Sequence, residues 1–478
     1  MASTSAPGAI ERGGPLLIHL EQAVEGAEIP AASALALAAL GPDTPLALVV
    51  GVPNGPNRVL RPRGGKLEAL PLTELADPFG TAHALAAADF DGDGVEEIWV
   101  ANGDPGRTRG LCADRLFDPV GEGFRDLLAE PAAATLGSVP SSHTVRPLDR
   151  LGSGRYGFLA AGAGGPLRLV EQDGRAGLND AAAEAGLDEL AQGGAMACGP
   201  LLGRGLDVFV GAARGPSLLF QGAGLGRWVE VAEAAGLAVA DLGAVDAAIL
   251  EADQAGRWGL LCLRRRGAHL LWIPDATGLL HERAPPTLAR PSSATALLVA
   301  DLDNDGFEEI LIANAGEPNR LLGWREQGWR PIDPGDALEP ATLPTALAAA
   351  DLDGDGRLEV VIARASGRGG GIGLYRVDAP DHAWLRVVPR TPQGAPARGA
   401  LVRLVAGGRS QTRILGEGAR GAGEPVAHFG LGACERVERL DIRWSDGTVR
   451  RLENLPARRT LIVPHPLAAA GAAPDEQA

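Results

Sequence analysis

Cysteine is scarce and scattered in this 478-residue chain. The four residues, Cys112, Cys198, Cys262 and Cys434, include no Cys-x-x-Cys pair, so a structural zinc site has no ligand framework. So thin a distribution is not a disulfide scaffold either. Buried thiols are expected, although an exported protein could still form one bridge. Long apolar runs are also missing: none reaches the roughly 18 residues that cross a bilayer as a helix. Positive charge is short, with 44 Lys and Arg against 60 Asp and Glu and a net charge of −16. The one basic run is Arg264-Arg265-Arg266, which argues against a nucleic-acid surface. The acid excess fits solubility, or carboxylates gathered around a cation. No Gly-x-Ser-x-Gly elbow, phosphate-binding glycine loop or His-Glu-x-x-His is found. The glycine-rich stretch 367–373 lacks a strand-loop-helix context and reads as a turn.

Glycine and proline are plentiful, at 67 and 36 residues, and 45% of the chain is hydrophobic. That balance favours many short strands, joined by turns, around a real core. Internal repetition sharpens the picture. The segments Asp89–Asn102, Asp301–Asn314 and Asp351–Arg364 are plainly related. Asp301 and Asp351 lie 50 residues apart, and Asp89 lies 212 before Asp301, close to four such periods. Weaker copies fill the gaps at Leu40–Gly51, Asp149–Ala161, Leu201–Gly211 and Glu251–Cys262. Each copy carries four short apolar runs separated by turns, the pattern of a propeller blade rather than of a helical solenoid. The expected fold is all-β: a seven-bladed β-propeller with a second, small C-terminal β-sandwich or barrel. The last unit, about 345–377, is one strand short. Leu16–Leu20 is the suitable missing strand, and would close the ring.

The turn in the three strong copies reads Asp-x-Asp-x-Asp-Gly-x-x-Glu. Carboxylates at positions 1, 3 and 5 converge, glycine at 6 permits a sharp turn, position 7 offers a carbonyl, and the acid at 9 closes the shell. This is oxygen chemistry suited to Ca²⁺. The expected sets are Asp89, Asp91, Asp93 and Glu97 with the Val95 carbonyl; Asp301, Asp303, Asp305 and Glu309 with Phe307; and Asp351, Asp353, Asp355 and Glu359 with Arg357. An EF-hand fits poorly, because Val100, Ile312 and Ile362 fill its position 12 and strands follow. The other four turns keep too few acids for a metal. The metal is expected to be structural, with about three sites.

His83 and His143 each stand six residues before the head Asp of a turn, at matching positions of adjacent inner strands, where Thr295 and Thr345 stand elsewhere. If inner strands line a central channel, both imidazoles meet at its mouth. They are the only candidates for a polar-ligand or transition-metal site in the funnel.

The acidic turns resemble the FG-GAP/VCBS repeats of integrin α-subunit propellers and many bacterial proteins, as do Glu184–Leu187 and Glu233–Leu237 between units. The segments His382–Val387, Gly399–Arg403, Gly407–Arg413, His428–Gly432, Leu440–Gly447 and Leu452–Leu455 resemble an ASPIC/UnbV domain. Together these are similar to the cartilage acidic protein family and its bacterial relatives. The resemblance implies calcium binding, often an extracellular or periplasmic setting, and no established catalysis. Relatives carry a Tyr-Leu-Ser-Gln-like segment before Phe-Gly-Leu-Gly. Here 416–425 is short and glycine-rich, so no ligand role is carried over to it.

The expected organisation is an N-terminal segment with the closing strand over 1–29, the propeller over 30–380, the β-domain over 381–467 and a disordered tail over 468–478. Trp384 and Trp444 are expected in the core of the small domain. The leading function is a non-catalytic module that docks a protein, small-molecule or glycan ligand on a propeller face. The alternatives are a cyclase, isomerase or lyase using the funnel, or an accessory subunit of a larger bacterial complex. The start, Met1–Arg12, lacks the basic and apolar regions of a secretory signal. Either the protein stays inside, or a longer precursor exists.

Overall fold

The computed structural model describes residues 16–468 and 475–477, except 22, 27, 42–43, 45, 72–74, 76–79, 103–112, 122, 137–141, 174–176, 204, 238, 240, 255, 368–369 and 417–422. Cys112 and most of the glycine-rich stretch 416–425 therefore lie outside the described residues. Alternating apolar runs of four to eight residues, broken by glycine turns, fold as antiparallel meanders. One is Ala82–Ala88, Glu97–Asn102, Arg115–Val120 and Gly123–Asp126. Equivalent groups of four strands begin with the inner strands Ala34–Ala38, Ser142–Leu148, Leu190–Gly199, Ala244–Glu251 and Ala294–Ala300; the first gains a short parallel strand, Val24–Glu25, and the second and third are joined by pairing of Ala163–Pro166 with Leu190–Gln192. The last begins with Pro344–Ala350 and supplies only three strands of its own; Leu16–His19 completes it, pairing antiparallel with Tyr375–Asp378. Each inner strand touches the next, and Pro344–Ala350 touches Ala34–Ala38, so the groups close into a ring. This is a β-propeller. No helix among the described residues is long and apolar enough to cross a membrane.

The propeller core is divided among the interfaces between neighbouring sheets. Alternation does this: Ala82, Leu85 and Ala87 pack towards the preceding sheet, whereas Ala84, Ala86 and Ala88 pack towards the following one. Ala82 and Leu85 share a face although three residues separate them, because the pairing slips between Ala82 and Ala84. The same bulge recurs in the next five inner strands, at the second residue of four of them and at Gly194 within Leu190–Gly199. Alanine crowds the inner strands, as befits strands that converge on a narrow axis, while Trp99, Phe158, Phe209 and Phe220 fill the wider space outside. Cys198 and Cys262 are buried free thiols. Cys434 is only half-buried, a departure from expectation that follows from its place in an exposed turn of the small domain.

The C-terminal part has two four-stranded sheets. One orders as Ala427–Gly432, Ala383–Pro389, Arg459–Val463 and Asp475–Gln477, the other as Arg409–Ile414, Leu401–Ala406, Arg436–Arg443 and Val449–Pro456. Leu385, Val387, Val402, Leu404, Phe429, Leu440, Ile442 and Trp444 share one core. Residues 475–477, within the tail expected to be disordered, pair instead as an edge strand with Thr460–Ile462. Trp384 also departs from expectation. It lies outside that core and packs on the propeller at Gly356, where an added Cβ would fall 1.8 Å from the indole.

The ring-closing strand tests the architecture. Leu17 is fully buried among Leu347, Val360 and Val377, whereas Ile18 is half-buried. Leu17→Ala is expected to cost about 2–5 kcal/mol, read as a fall in the urea midpoint, and Ile18→Ala distinctly less.

Candidate metal centre

Three inner strands run directly into an acidic turn. At the first, Asp89 is fully buried and accepts hydrogen bonds from the backbone N–H groups of Gly92 (2.7 Å) and Gly94 (3.1 Å). Asp91 accepts from the Asp93 N–H (3.1 Å), Asp93 from that of Val95 (2.8 Å), and Glu97 reaches back to that of Phe90 (2.5 Å). The Asp351 turn repeats this set, with Asp351 bonded to Gly354 and Gly356, Asp353 to Asp355, Asp355 to Arg357, and Glu359 to Leu352. In the Asp301 turn the local bonds also recur, Asp303 to Asp305, Asp305 to Phe307 and Glu309 to Leu302. Glycine at the sixth position is required: Gly94, Gly306 and Gly356 have φ of 93°, 92° and 84°.

Carboxylate oxygens of Asp89, Asp91 and Glu97 lie within 4.8 Å of one another, as do those of Asp301, Asp303 and Glu309, and of Asp351, Asp353 and Asp355. Asp93, Asp305 and Glu359 share these loops but fall outside the tight triads. Burial, reinforced by neighbouring carboxylates, pushes Asp89 up to about 7, Asp303 to about 6 and Glu359 to about 8. Glu97, Asp301 and Glu309 are driven well above the usual carboxylate range for the same reasons. Glu97 Oε1, Asp301 Oδ1 and Glu309 Oε1 are buried with no hydrogen-bond donor. Buried acceptor oxygens that lack donors, amid carboxylates that repel one another, fit a hard cation. Val95, Phe307 and Arg357 occupy the seventh position of each turn. The Asp149 turn keeps only the scaffold: Asp149 caps Ser153 and Gly154, and the turn supplies no further acids of its own.

The three turns have different surroundings. Arg325, at the end of the strand Arg320–Arg325, reaches Asp303 (3.1 Å), Asp305 (3.0 Å) and Glu309 (3.8 Å). One loop thus holds a protein cation among its carboxylates. At Asp351 a single guanidinium, Arg386, takes one carboxylate oxygen (2.9 Å) and also pairs with Glu424. At the Asp89 turn the strand Arg115–Val120 brings another acid, Asp118, whose charge helps to push Asp91 up. Asp118, Arg325 and Arg386 were not visible as site residues in the repeat, because each comes from a strand outside the acidic motif.

The small domain sits on this end of the propeller. The Gly430 N–H donates to Asp301 (2.9 Å), and a Cβ at 430 would fall 2.3 Å from that carboxylate and from the Asn304 backbone. The first glycine of His428–Gly432 is therefore a contact residue. His428 meets the Asn304 amide oxygen (2.6 Å), and His382 meets the Asp303 carbonyl (2.8 Å). Arg398, almost wholly buried, holds Glu96 with two bonds (2.5 and 3.0 Å) and donates to the Leu37 carbonyl (2.7 Å). At the opposite ends of the inner strands, His83 and His143 lie with ring centroids 5.2 Å apart. Both stand at the register bulge of their inner strands, at the channel mouth.

Comparison with known proteins agrees with this architecture. The ASPIC and UnbV family matches residues 390–470. An FG-GAP-like repeat matches residues 301–362, covering two of the acidic turns. Cartilage acidic protein 1 of Homo sapiens is 32% identical over 441 residues, spanning 84% of this chain and 67% of that protein. The Mus musculus and Xenopus tropicalis proteins of the same name are 32% and 31% identical, with 68% of each covered.

Two outcomes follow from the geometry. Removing the guanidinium with Arg325→Gln is expected to tighten calcium binding at one site by roughly tenfold, the equivalent of about 1.4 kcal/mol, in an isothermal titration. The raised carboxylates also set a pH dependence. In the unfolded chain they ionise near pH ~4. Without metal, the folded chain keeps protons on Asp89 and Glu359 up to about 7 and about 8. The folded state then binds more protons than the unfolded one, so metal-free stability falls as pH rises across that window. Thermal scans with chelator should show Tm dropping from acid to neutral pH. Scans with saturating calcium should drop less, so that the gap widens with pH.

Proposed function

Because this chain belongs to the cartilage acidic protein family, we propose that it is a calcium-binding, non-catalytic docking module, built as a seven-bladed propeller with a small β-domain clamped on its metal-binding end. The observation that carries this reading is the set of three acidic triads, two of which, at Asp89 and Asp301, hold buried oxygens without a hydrogen-bond donor. Calcium would supply the positive charge these carboxylates need, held by Asp89, Asp91 and Glu97, by Asp301, Asp303 and Glu309, and by Asp351, Asp353 and Asp355. Asp93, Asp305 and Glu359 would stand around the ion, and Val95, Phe307 and Arg357 would offer carbonyls. In this reading the chain's own residues orient rather than react. Glu97, Glu309 and Glu359 tie each turn to its following strand, and Gly430, Arg386 and Arg398 transmit the turn's rigidity to the small domain.

The metal's work is structural on this account. It neutralises loops between neighbouring sheets and stiffens the face on which a partner docks. Calorimetric titration of the chelator-stripped chain with calcium tests it. Up to three sites and a rise in Tm are expected, and Asp89→Asn with Asp91→Asn should remove one site. A Tm indifferent to calcium and chelator would overturn the reading. Docking is tested on the same protein by bead capture from the native source, where partner recovery should depend on calcium.

A further inference from the structure

The end of the channel away from the small domain has a different chemistry. A cavity of about 730 Å³ opens there, lined by Arg214, Arg264, Arg265, Arg266, His143 and one acid, Asp241. The residues come from separate parts of the ring. His143 sits on the bulge of its inner strand. Arg214 follows the strand Asp207–Ala212, and the three consecutive arginines end the strand Trp258–Arg264 and form its turn. The fold holds that turn in place: the Arg265 N–H donates to the Gly243 carbonyl (2.8 Å), and Arg264 Nε to the Leu242 carbonyl (2.8 Å).

Two features set this mouth apart. The first is charge: four arginines face one aspartate in a chain whose net charge is −16. The second is that the charges are not neutralised internally. Arg325, Arg364, Arg386 and Arg398 each pair with a carboxylate, but among the described residues none lies within ion-pair distance of Arg214, Arg264, Arg265 or Arg266. Like charges brought together around a concave space repel, and the walls focus their field into the cavity. Guanidinium groups match oxyanions with paired hydrogen bonds. The volume lies within the roughly 300–1,000 Å³ typical of small-ligand sites.

We infer that this channel mouth is a binding site for a small polyanion that presents two or more oxyanion groups, as sulfate esters or carboxylates. Arg265 and Arg266, both exposed, are the primary contacts, Arg264 and Arg214 form the walls, and His143 lines the channel side. Nothing in the site calls for a covalent step. The assignment deepens the reading of the propeller as a docking module by naming a ligand chemistry, and it involves none of the acidic turns.

The full chain, saturated with calcium in low-salt buffer, is titrated calorimetrically with sucrose octasulfate in one arm and tricarballylate in the other. At least one probe is expected to bind, more weakly as salt rises. The double variant Arg265→Ser, Arg266→Ser should weaken binding at least tenfold at unchanged Tm, and the distant exposed Arg330→Ser should leave it intact. Binding confined to the sulfated probe assigns a sulfate-ester ligand, and binding confined to the tricarboxylate assigns a carboxylate ligand. Absence of heat with both probes at millimolar concentration, or an equal loss in Arg330→Ser, overturns the proposal. A failure here is separable from a failure of the calcium reading, which is scored by Tm against calcium.

Discussion

Buried negative charge at the ends of the inner strands is the constraint around which the rest of the molecule is arranged. Asp89, Asp301 and Asp351 are each buried within a cluster of other acids. Burial and mutual repulsion both penalise ionisation. The chain meets this cost differently at each site. Turn N–H groups solvate Asp89 and Asp351, a backbone N–H from the small domain solvates Asp301, and Arg325 and Arg386 bring positive charge from elsewhere. The small domain is thereby joined to the propeller through the same carboxylates that fit a cation. Metal occupancy and domain seating are linked through shared atoms.

Propeller geometry supplies the other half of the arrangement. Inner strands start at one end of the channel, and three of them finish in the acidic turns at the other. A bulge near the start of six of them turns one residue per strand out of the ladder. Those positions hold His83, His143, Gly194, Val245, Thr295 and Thr345. The two ends of the channel therefore carry opposite electrostatics, carboxylates beneath the small domain and arginines at the open mouth.

Local spacing made much of this legible. The acidic turns declare themselves because all their carboxylates fall within nine residues, and the meeting of His83 with His143 follows from equal offsets in adjacent repeats. The missing strand of the last group pointed to Leu16–Leu20. Long-range partners were not legible. Arg325 and Asp118 enter their loops from the third strand of a sheet, and Arg386, Arg398 and Gly430 arrive from another domain. Trp384 reads as a core residue from its apolar surroundings in the chain, yet packs on Gly356, because its own strand forms the contact face. The basic triplet Arg264-Arg265-Arg266 stands alone in the sequence, and the ring places Arg214 and His143 beside it.

The pairing of Leu16–His19 with Tyr375–Asp378 joins two segments from far apart in the chain. Every other sheet of the propeller can be completed by its own local meander. This one lacks its fourth strand until the last sheet has been synthesised and the two ends of the ring are brought together. Contacts of such long sequence separation are slow to find. Until then the nascent ring is an arc whose last sheet exposes an unpaired edge, a template for joining another chain. The seam is thus both the final step of assembly and the place where exchange of the first strand between two copies would begin.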